Sequence, residues 1–100
     1  MRVIWAPRAI QRVIEVARYI AADRPAAARR WVRDLFAKAA ALRHHTRLGR
    51  KVPELNRDDI RQLRHGTYRI IYRIDPKRVV VLTIRLHARE WDPDEVGPER

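Results

Sequence analysis

Residues 61–91 read RQLRHGTYRIIYRIDPKRVVVLTIRLHAREW, and two runs within this segment alternate apolar side chains with arginines. Successive side chains of a β-strand point to opposite faces of a sheet. One face therefore receives an apolar set from both runs: Tyr68, Ile70, Tyr72, Ile74, Val80, Leu82, Ile84 and Leu86. The opposite, solvent-facing side is expected to carry Arg69, Arg73, Arg85 and His87 together. A cationic sheet surface with one titratable imidazole suits the binding or the cleavage of phosphates.

Two helices are predicted upstream of these strands. Apolar residues recur at helical spacing between residues 10 and 21, and again between residues 28 and 42. Pro7 and Pro25 suit the first position of a helix, where a missing N–H is tolerated. Pro25 also biases Arg24 away from helical geometry, so the sequence Asp23-Arg24-Pro25 separates the two helices into a hairpin.

The order of elements predicts an α+β fold with an N-terminal strand, a two-helix hairpin and a three-stranded antiparallel meander. The meander strands are expected near residues 60–65, 67–74 and 78–87, joined by turns at Gly66-Thr67 and at residues 75–77. The N-terminal strand at residues 2–5 is expected at a sheet edge. Residues 44–59 are predicted to form a long loop of functional importance. A single domain is expected over residues 1–91, followed by an acidic, poorly ordered tail at residues 92–100.

Composition excludes several classes of protein. Apolar residues make up 46% of the 100-residue chain, and no apolar run approaches the roughly 20 residues that cross a bilayer. The absence of cysteine excludes disulfides and thiolate metal sites and is compatible with a reducing cytoplasm. Pro7 and Arg8 interrupt the N-terminus too early for a secretory signal. No metal or other cofactor is expected.

The net charge of +11 indicates an anionic partner. Residues 1–91 alone contain 22 basic and 8 acidic side chains, and 20 of the 23 basic residues of the whole chain are arginines. Such a surface is expected to attract nucleic acid, a ribosomal surface or an acidic protein. A solvated, arginine-rich surface without a specific partner is the alternative.

The chain resembles the RelE/ParE superfamily of bacterial toxins over nearly the whole domain, from about residue 2 to residue 91. The resemblance is carried by the order and spacing of five fragments: IWAPRA, RPAAARRWV, LGRKVPEL, GTYRIIYRID and VVVLTIRLHAR. It implies a small basic type II toxin that inhibits growth and is neutralised by an antitoxin encoded beside it. An antitoxin segment that folds on binding would cover apolar grooves of the toxin and meet the arginines of both helices.

Two activities occur in the superfamily. ParE-like members act on DNA gyrase and lack nuclease activity, whereas RelE- and YoeB-like members cut mRNA in the ribosomal A site. The resemblance to YoeB-like toxins makes Glu54 the general base, Arg69 the phosphate-binding arginine and His87 the general acid of a metal-independent endoribonuclease. The tyrosine that ends YoeB is replaced here by Ala88. Ile60 and Gln62 occupy the positions of the two catalytic lysines of RelE, while Arg69 and Arg89 have counterparts there.

The gyrase hypothesis is therefore preferred, and the enzyme hypothesis stays open. Arg69, Arg73, Arg85 and Arg89 are the candidates for binding target or phosphate. Each catalytic candidate also has a structural interpretation: Glu54 as an anchor for the loop, His87 as a hydrogen-bonded strand end, and Arg69 as an ion-pair partner of Asp58 or Asp59. A nontoxic, basic nucleic-acid-binding protein is the third hypothesis.

Overall fold

The computed structural model describes residues 1–87, which form one sheet covered on one side by a helical hairpin. The elements are β1 (Arg2–Trp5), α1 (Pro7–Ala21), α2 (Pro25–Ala40), a 3-10 turn (Ala41–Arg43), β2 (Arg50–Lys51), β3 (Ile60–His65), β4 (Tyr68–Ile74) and β5 (Arg78–Leu86). The predicted α+β class, hairpin and antiparallel meander are confirmed. The domain boundary expected at residue 91 and the expected acidic tail lie outside the described residues.

Each helix begins with a proline, as predicted. Neither Ala6 before α1 nor Arg24 before α2 caps the helix with its side chain. The proline ring has no N–H to leave unsatisfied at that position, so each start tolerates the weak cap. The Arg24 N–H donates to the Ile20 carbonyl at 2.9 Å, which closes the turn between the helices.

The helices pack on one face of the sheet and build the main core. Its buried members are Ala9, Val13, Leu35, Ala39, Ile70, Val81 and Ile84. Leu35 has no exposed surface, and truncating such a leucine to alanine costs about 2–5 kcal/mol. This core fixes β4 and β5, the two strands that carry most of the candidate site residues.

The sheet has five strands in the order β1-β5-β4-β3-β2. β1 lies at one edge, as predicted, and runs parallel to β5. β2 lies at the other edge and pairs Arg50 with Gln62 of β3. The sequence did not predict β2, because two residues are too few to produce a recognisable alternation. Its pairing draws the first part of the 44–59 loop onto the sheet.

A β-bulge interrupts the pairing of β4 with β5. Ile71 pairs with Thr83, but Tyr72 pairs with Val81, so Leu82 is an extra residue on β5. An extra residue reverses the side-chain alternation of the strand beyond it. The predicted uniform alternation along β5 is therefore wrong before residue 83.

The bulge places apolar side chains on both faces of the sheet. Val79 and Val81 belong to clusters on the helical side, whereas the sequence assigned them to the opposite face. Val80 and Leu82 pack on the other side in a second cluster with Ile71. The face opposite the helices is thus partly a hydrophobic core rather than an open cationic surface. Within residues 1–87, no helix combines the length and apolar character needed to cross a bilayer.

Candidate functional site

The 44–59 loop folds over the face of the sheet opposite the helices, which we call the outer face. Val52 is fully buried and, with Leu55, packs against Ile60 and Ile71. The N–H groups of Leu55 and Asn56 both donate to the Val52 carbonyl, at 3.1 and 2.9 Å. This tight turn places Glu54 between two anchored apolar side chains and directs it toward β4.

Tyr72 fixes the beginning of the same loop. The Gly49 N–H donates to the Tyr72 hydroxyl at 2.9 Å, and that hydroxyl donates to the Thr46 carbonyl at 2.7 Å. Gly49 packs so closely that a Cβ there would clash with the carbonyl oxygen of Gln62 and lie 2.9 Å from the Tyr72 ring. Burial raises the pKa of the Tyr72 hydroxyl, so it remains a donor at neutral pH.

Arg69 lies at the centre of the outer face beneath the loop. Its Nη1 donates to Glu54 Oε1 at 3.0 Å, and its Nη2 donates to Glu54 Oε2 at 2.6 Å. Nη1 also donates to Gln62 Oε1 at 2.9 Å. The Arg69 side chain is 4% exposed and that of Glu54 is 19% exposed. A buried guanidinium needs such a partner, since an uncompensated buried charge costs several kcal/mol.

Three arginines form a row across the sheet. Strand register pairs Arg64 of β3 with Arg69 of β4, and Arg69 with Arg85 of β5. Like charges directly opposite each other destabilise a sheet. Glu54 is therefore placed where a negative charge stabilises the row most, on its central member.

His87 completes the group at the end of β5. Its backbone N–H donates to the Thr67 carbonyl at 2.7 Å, while its side-chain Nδ1 is shielded from solvent and has no hydrogen-bond partner among residues 1–87. Desolvation lowers the pKa of the imidazole, and the positive charges of Arg64, Arg69 and Arg50 lower that pKa further. The carboxylate of Glu54 acts in the opposite direction. His87 is accordingly neutral at pH 7 and lies within electrostatic reach of Glu54 and Arg69.

Arg73 belongs to a different cluster at the far end of β4. Its Nε donates to Asp75 Oδ1 at 2.8 Å and its Nη2 donates to Asp75 Oδ2 at 3.2 Å. Arg78 reaches the same carboxylate at 3.3 Å. The hydrogen bond from Arg73 lowers the pKa of Asp75 below the usual aspartate value of 3.8, and Arg78 adds to the effect.

The structure therefore corrects the predicted exposure of two arginines. Arg69 and Arg73 point away from the helices, as expected, but each residue is only 3% exposed. They are buried because the loop covers one and the β4–β5 turn supplies a carboxylate to the other. Arg85 is partly exposed, and Arg89 lies outside the described residues.

Of the predicted site residues, Glu54 and Arg69 are in direct contact, and His87 lies close enough for both charges to act on its pKa. The interpretation that Arg69 pairs with Asp58 or Asp59 is wrong, because Asp58 binds Arg47 and Arg61 while Asp59 binds Arg57. Sequence reasoning missed the contribution of Arg64 and Arg50. The position of Arg64 could have been found from the two-residue turn at Gly66-Thr67. A turn of that length pairs His65 with Tyr68, and therefore Arg64 with Arg69.

The described residues offer no evident metal site. In residues 1–87, no three histidine or carboxylate side chains are arranged to share a metal ion. Around Arg69, the described part of the outer face supplies guanidinium donors, the carboxylate of Glu54 and the neutral imidazole of His87.

One family model and one solved structure are similar to this chain. The family model described as ParE toxin of type II toxin-antitoxin system, parDE, matches residues 3–91. Among solved structures, a chain of the chromosomal ParDE TA system from P. aeruginosa matches with a TM-score of 0.73 and 18% identity. The match covers 86% of this chain and 95% of that one, and at this identity it establishes the fold alone. No curated protein matches the chain significantly.

Proposed function

The chain belongs to the ParE toxin family of type II toxin–antitoxin systems, and we propose that it inhibits growth by acting on DNA gyrase and is neutralised by a cognate antitoxin. The resemblance to ParE-like toxins implies gyrase as the target. The observation that carries the choice of a binding mechanism is the bidentate ion pair between Glu54 and Arg69.

That ion pair opposes a nuclease mechanism. Both oxygens of Glu54 already accept hydrogen bonds from Arg69, and the side chain is only 19% exposed. Their remaining lone pairs are therefore poorly placed to take the proton of a 2′-hydroxyl, as a general base must. A phosphate-binding arginine must present its guanidinium, and that of Arg69 is covered. At the two positions matching the RelE lysines, Ile60 is fully buried and Gln62 is hydrogen-bonded to Arg69. Ala88 stands where YoeB has its terminal tyrosine.

A supercoiling assay tests the proposal directly. Purified toxin is added to gyrase, ATP and relaxed plasmid, and the expected result is a dose-dependent loss of supercoiled product. Toxin premixed with its antitoxin is the matched control and should have no effect. Full supercoiling at every toxin concentration, with the toxin shown to be folded, would contradict gyrase as the target.

A ribosome-dependent mRNA endonuclease is the second candidate, supported by the clustering of Glu54, Arg69 and His87. In that mechanism Glu54 would separate from Arg69 and accept the 2′-hydroxyl proton while the 2′-oxygen attacks the phosphorus, and Arg69 would stabilise the phosphorane. His87 would have to be in its protonated form to give a proton to the 5′-oxygen as the P–O5′ bond breaks. Toeprinting on translating ribosomes tests it. A-site cuts that disappear in His87→Ala and Arg69→Ala would replace the gyrase proposal with this one.

The helical hairpin offers the best surface for the antitoxin. A groove of about 480 Å³ lies between the ends of α1 and α2, and it has an apolar floor with a basic rim. Its lining consists of Ala17, Ala21, Pro25, Ala28, Val32, Arg18, Arg29 and Arg33. An amphipathic helix with acidic flanking residues fits this pattern, because its apolar face would fill the groove while its carboxylates meet the arginines.

Charge reversals at two neighbouring arginines test whether the antitoxin binds in this groove or is attracted only by the overall positive charge. Arg29 lines the groove, whereas the exposed Arg30 does not. Arg29→Glu is expected to weaken antitoxin binding roughly tenfold, since like charges at an interface rim repel, and Arg30→Glu is expected to have a much smaller effect. Equal losses in the two variants, measured by titration calorimetry, would exclude the groove as the specific site.

A further inference from the structure

The end of the helical hairpin where α1 turns into α2 carries four exposed arginines, and we call this cluster the hairpin tip. Its members are Arg18, Arg24, Arg29 and Arg30. Arg18 lies three residues before the end of α1, and Arg30 lies five residues after the start of α2. With a helical rise of about 1.5 Å per residue, all four lie within about 8 Å of the turn along the helix axes.

The positive charge of the hairpin tip is not balanced by neighbouring carboxylates. Within residues 1–87, none of its four arginines forms an ion pair. The acidic side chains on either side of the tip lie near other arginines: Glu15 is 3.5 Å from Arg12, and Asp34 is 3.5 Å from Arg33. Asp23 is the one carboxylate in the sequence between residues 18 and 30. A concentration of one sign of charge of this kind attracts a polyanion.

The side chains around these arginines indicate which polyanion fits. Ala22, Pro25 and Ala26 are exposed and small, and Tyr19 is the one large apolar side chain exposed among residues 18–30. A protein interface is built around a well-packed centre of large side chains, and single-stranded nucleic acid stacks successive bases on several aromatic rings. The phosphates of a duplex require neither, because arginine forks bind their oxygens directly. The composition of the tip therefore favours a duplex backbone.

We propose that the hairpin tip binds the phosphate backbone of duplex DNA without reading its sequence. The role of this contact rests on the proposed function, since gyrase holds the duplex on which it acts and the toxin would then touch both enzyme and DNA. Arg18 and Arg29 also line the groove assigned to the antitoxin, whereas Arg24 and Arg30 do not. An antitoxin helix in the groove would therefore occupy two of the four arginines and weaken the hold on DNA.

Fluorescence anisotropy of a labelled duplex of about 20 base pairs, titrated with full-length toxin at several salt concentrations and without gyrase, tests this surface. Each phosphate contact contributes about −0.9 to the slope of log affinity against log salt concentration, so four contacts predict a slope of about −3.6. Arg24→Gln and Arg30→Gln, at exposed positions outside the groove, should each make the slope less steep by about 0.9 and weaken binding about eightfold at 0.1 M salt. Arg43→Gln removes the same charge beyond the other end of α2 and should change neither the slope nor the affinity.

Equal losses in Arg24→Gln, Arg30→Gln and Arg43→Gln would show that overall charge alone attracts the DNA, and would overturn the proposal. Tighter binding to one strand than to the duplex would also overturn it, as would binding to polyglutamate as tight as to DNA, which would indicate an acidic protein as the partner. Circular dichroism verifies that each variant is folded. Because gyrase is absent from the titration, toxin that inhibits supercoiling but binds no duplex would refute this surface and leave the proposed function intact.

Discussion

Replacing Glu54 with alanine is expected to lower the free energy of unfolding by about 3 kcal/mol. Removing one partner of a buried ion pair costs about 3–5 kcal/mol, because the remaining charge stays buried without its counter-ion. Arg69 would keep its hydrogen bond to Gln62. The Arg69 side chain is only 4% exposed, but the Glu54 side chain is 19% exposed. Water can therefore reach the vacated site, which places the cost at the lower end of the range. For a domain of this size about 3 kcal/mol corresponds to a fall in Tm of roughly 12–24 °C.

Urea denaturation followed by tryptophan fluorescence measures this loss. Asp34→Ala is a matched control, because it breaks an exposed ion pair. The Asp34 carboxylate lies 3.5 Å from Arg33, and the two side chains are 55% and 71% exposed, respectively. Surface pairs of this kind contribute little, so the control should lose about 0.5 kcal/mol or less. Adding Arg69→Met to Glu54→Ala removes the buried charge that has lost its bidentate carboxylate and should recover at least about 1 kcal/mol. A Glu54→Ala loss no larger than that of the control would refute the reasoning that this pair holds the loop on the sheet.

Three other predictions concern the loop and one buried histidine. Gly49→Ala should destabilise the fold by about 1–3 kcal/mol in the same denaturation assay, because its Cβ would meet the Gln62 carbonyl and the Tyr72 ring; an unchanged midpoint would show that the loop can relax. Tyr72→Phe should cost about 1–3 kcal/mol, since it leaves the buried Gly49 N–H without its acceptor. Burial lowers the pKa of His65 below 6.5, so the folded protein favours the neutral imidazole. The free energy of unfolding should therefore keep its full value above pH 6.5 and decrease as the pH falls below it. An NMR titration midpoint above 6.5 would contradict this sign.

The order of strands and helices could be predicted from the sequence, because it depends on patterns within short stretches of the chain. Alternation at Tyr68, Ile70 and Tyr72 identifies the helical face of β4, and the register of the Gly66-Thr67 turn follows from its length. The bulge at Leu82 was not accessible. Val79 through Leu82 are all apolar, so either alternation fits the residues, and the packing of Val80 against the loop side decides between them.

The sequence named Glu54, Arg69 and His87 as candidates, and their role stays a prediction. The ion pair between Glu54 and Arg69 and the burial of that pair were not predicted. Whether Arg69 faces solvent depends on the 44–59 loop, which packs on the sheet through Val52 and Leu55. The Glu54 of this loop, which binds Arg69, lies 15 residues before it in the chain. The periodicity of a strand carries no information on what covers its polar face, so the burial of Arg69 and Arg73 required the structure.

The most direct measurement of the central claim is a parallel readout in living cells after induction of the toxin without its antitoxin. Plasmid superhelical density and incorporation of labelled methionine are followed over the first minutes in the same culture. If the toxin acts by binding gyrase, negative supercoiling falls before protein synthesis does. Synthesis that stops first while plasmid topology stays unchanged would contradict the account and direct attention to the ribosome.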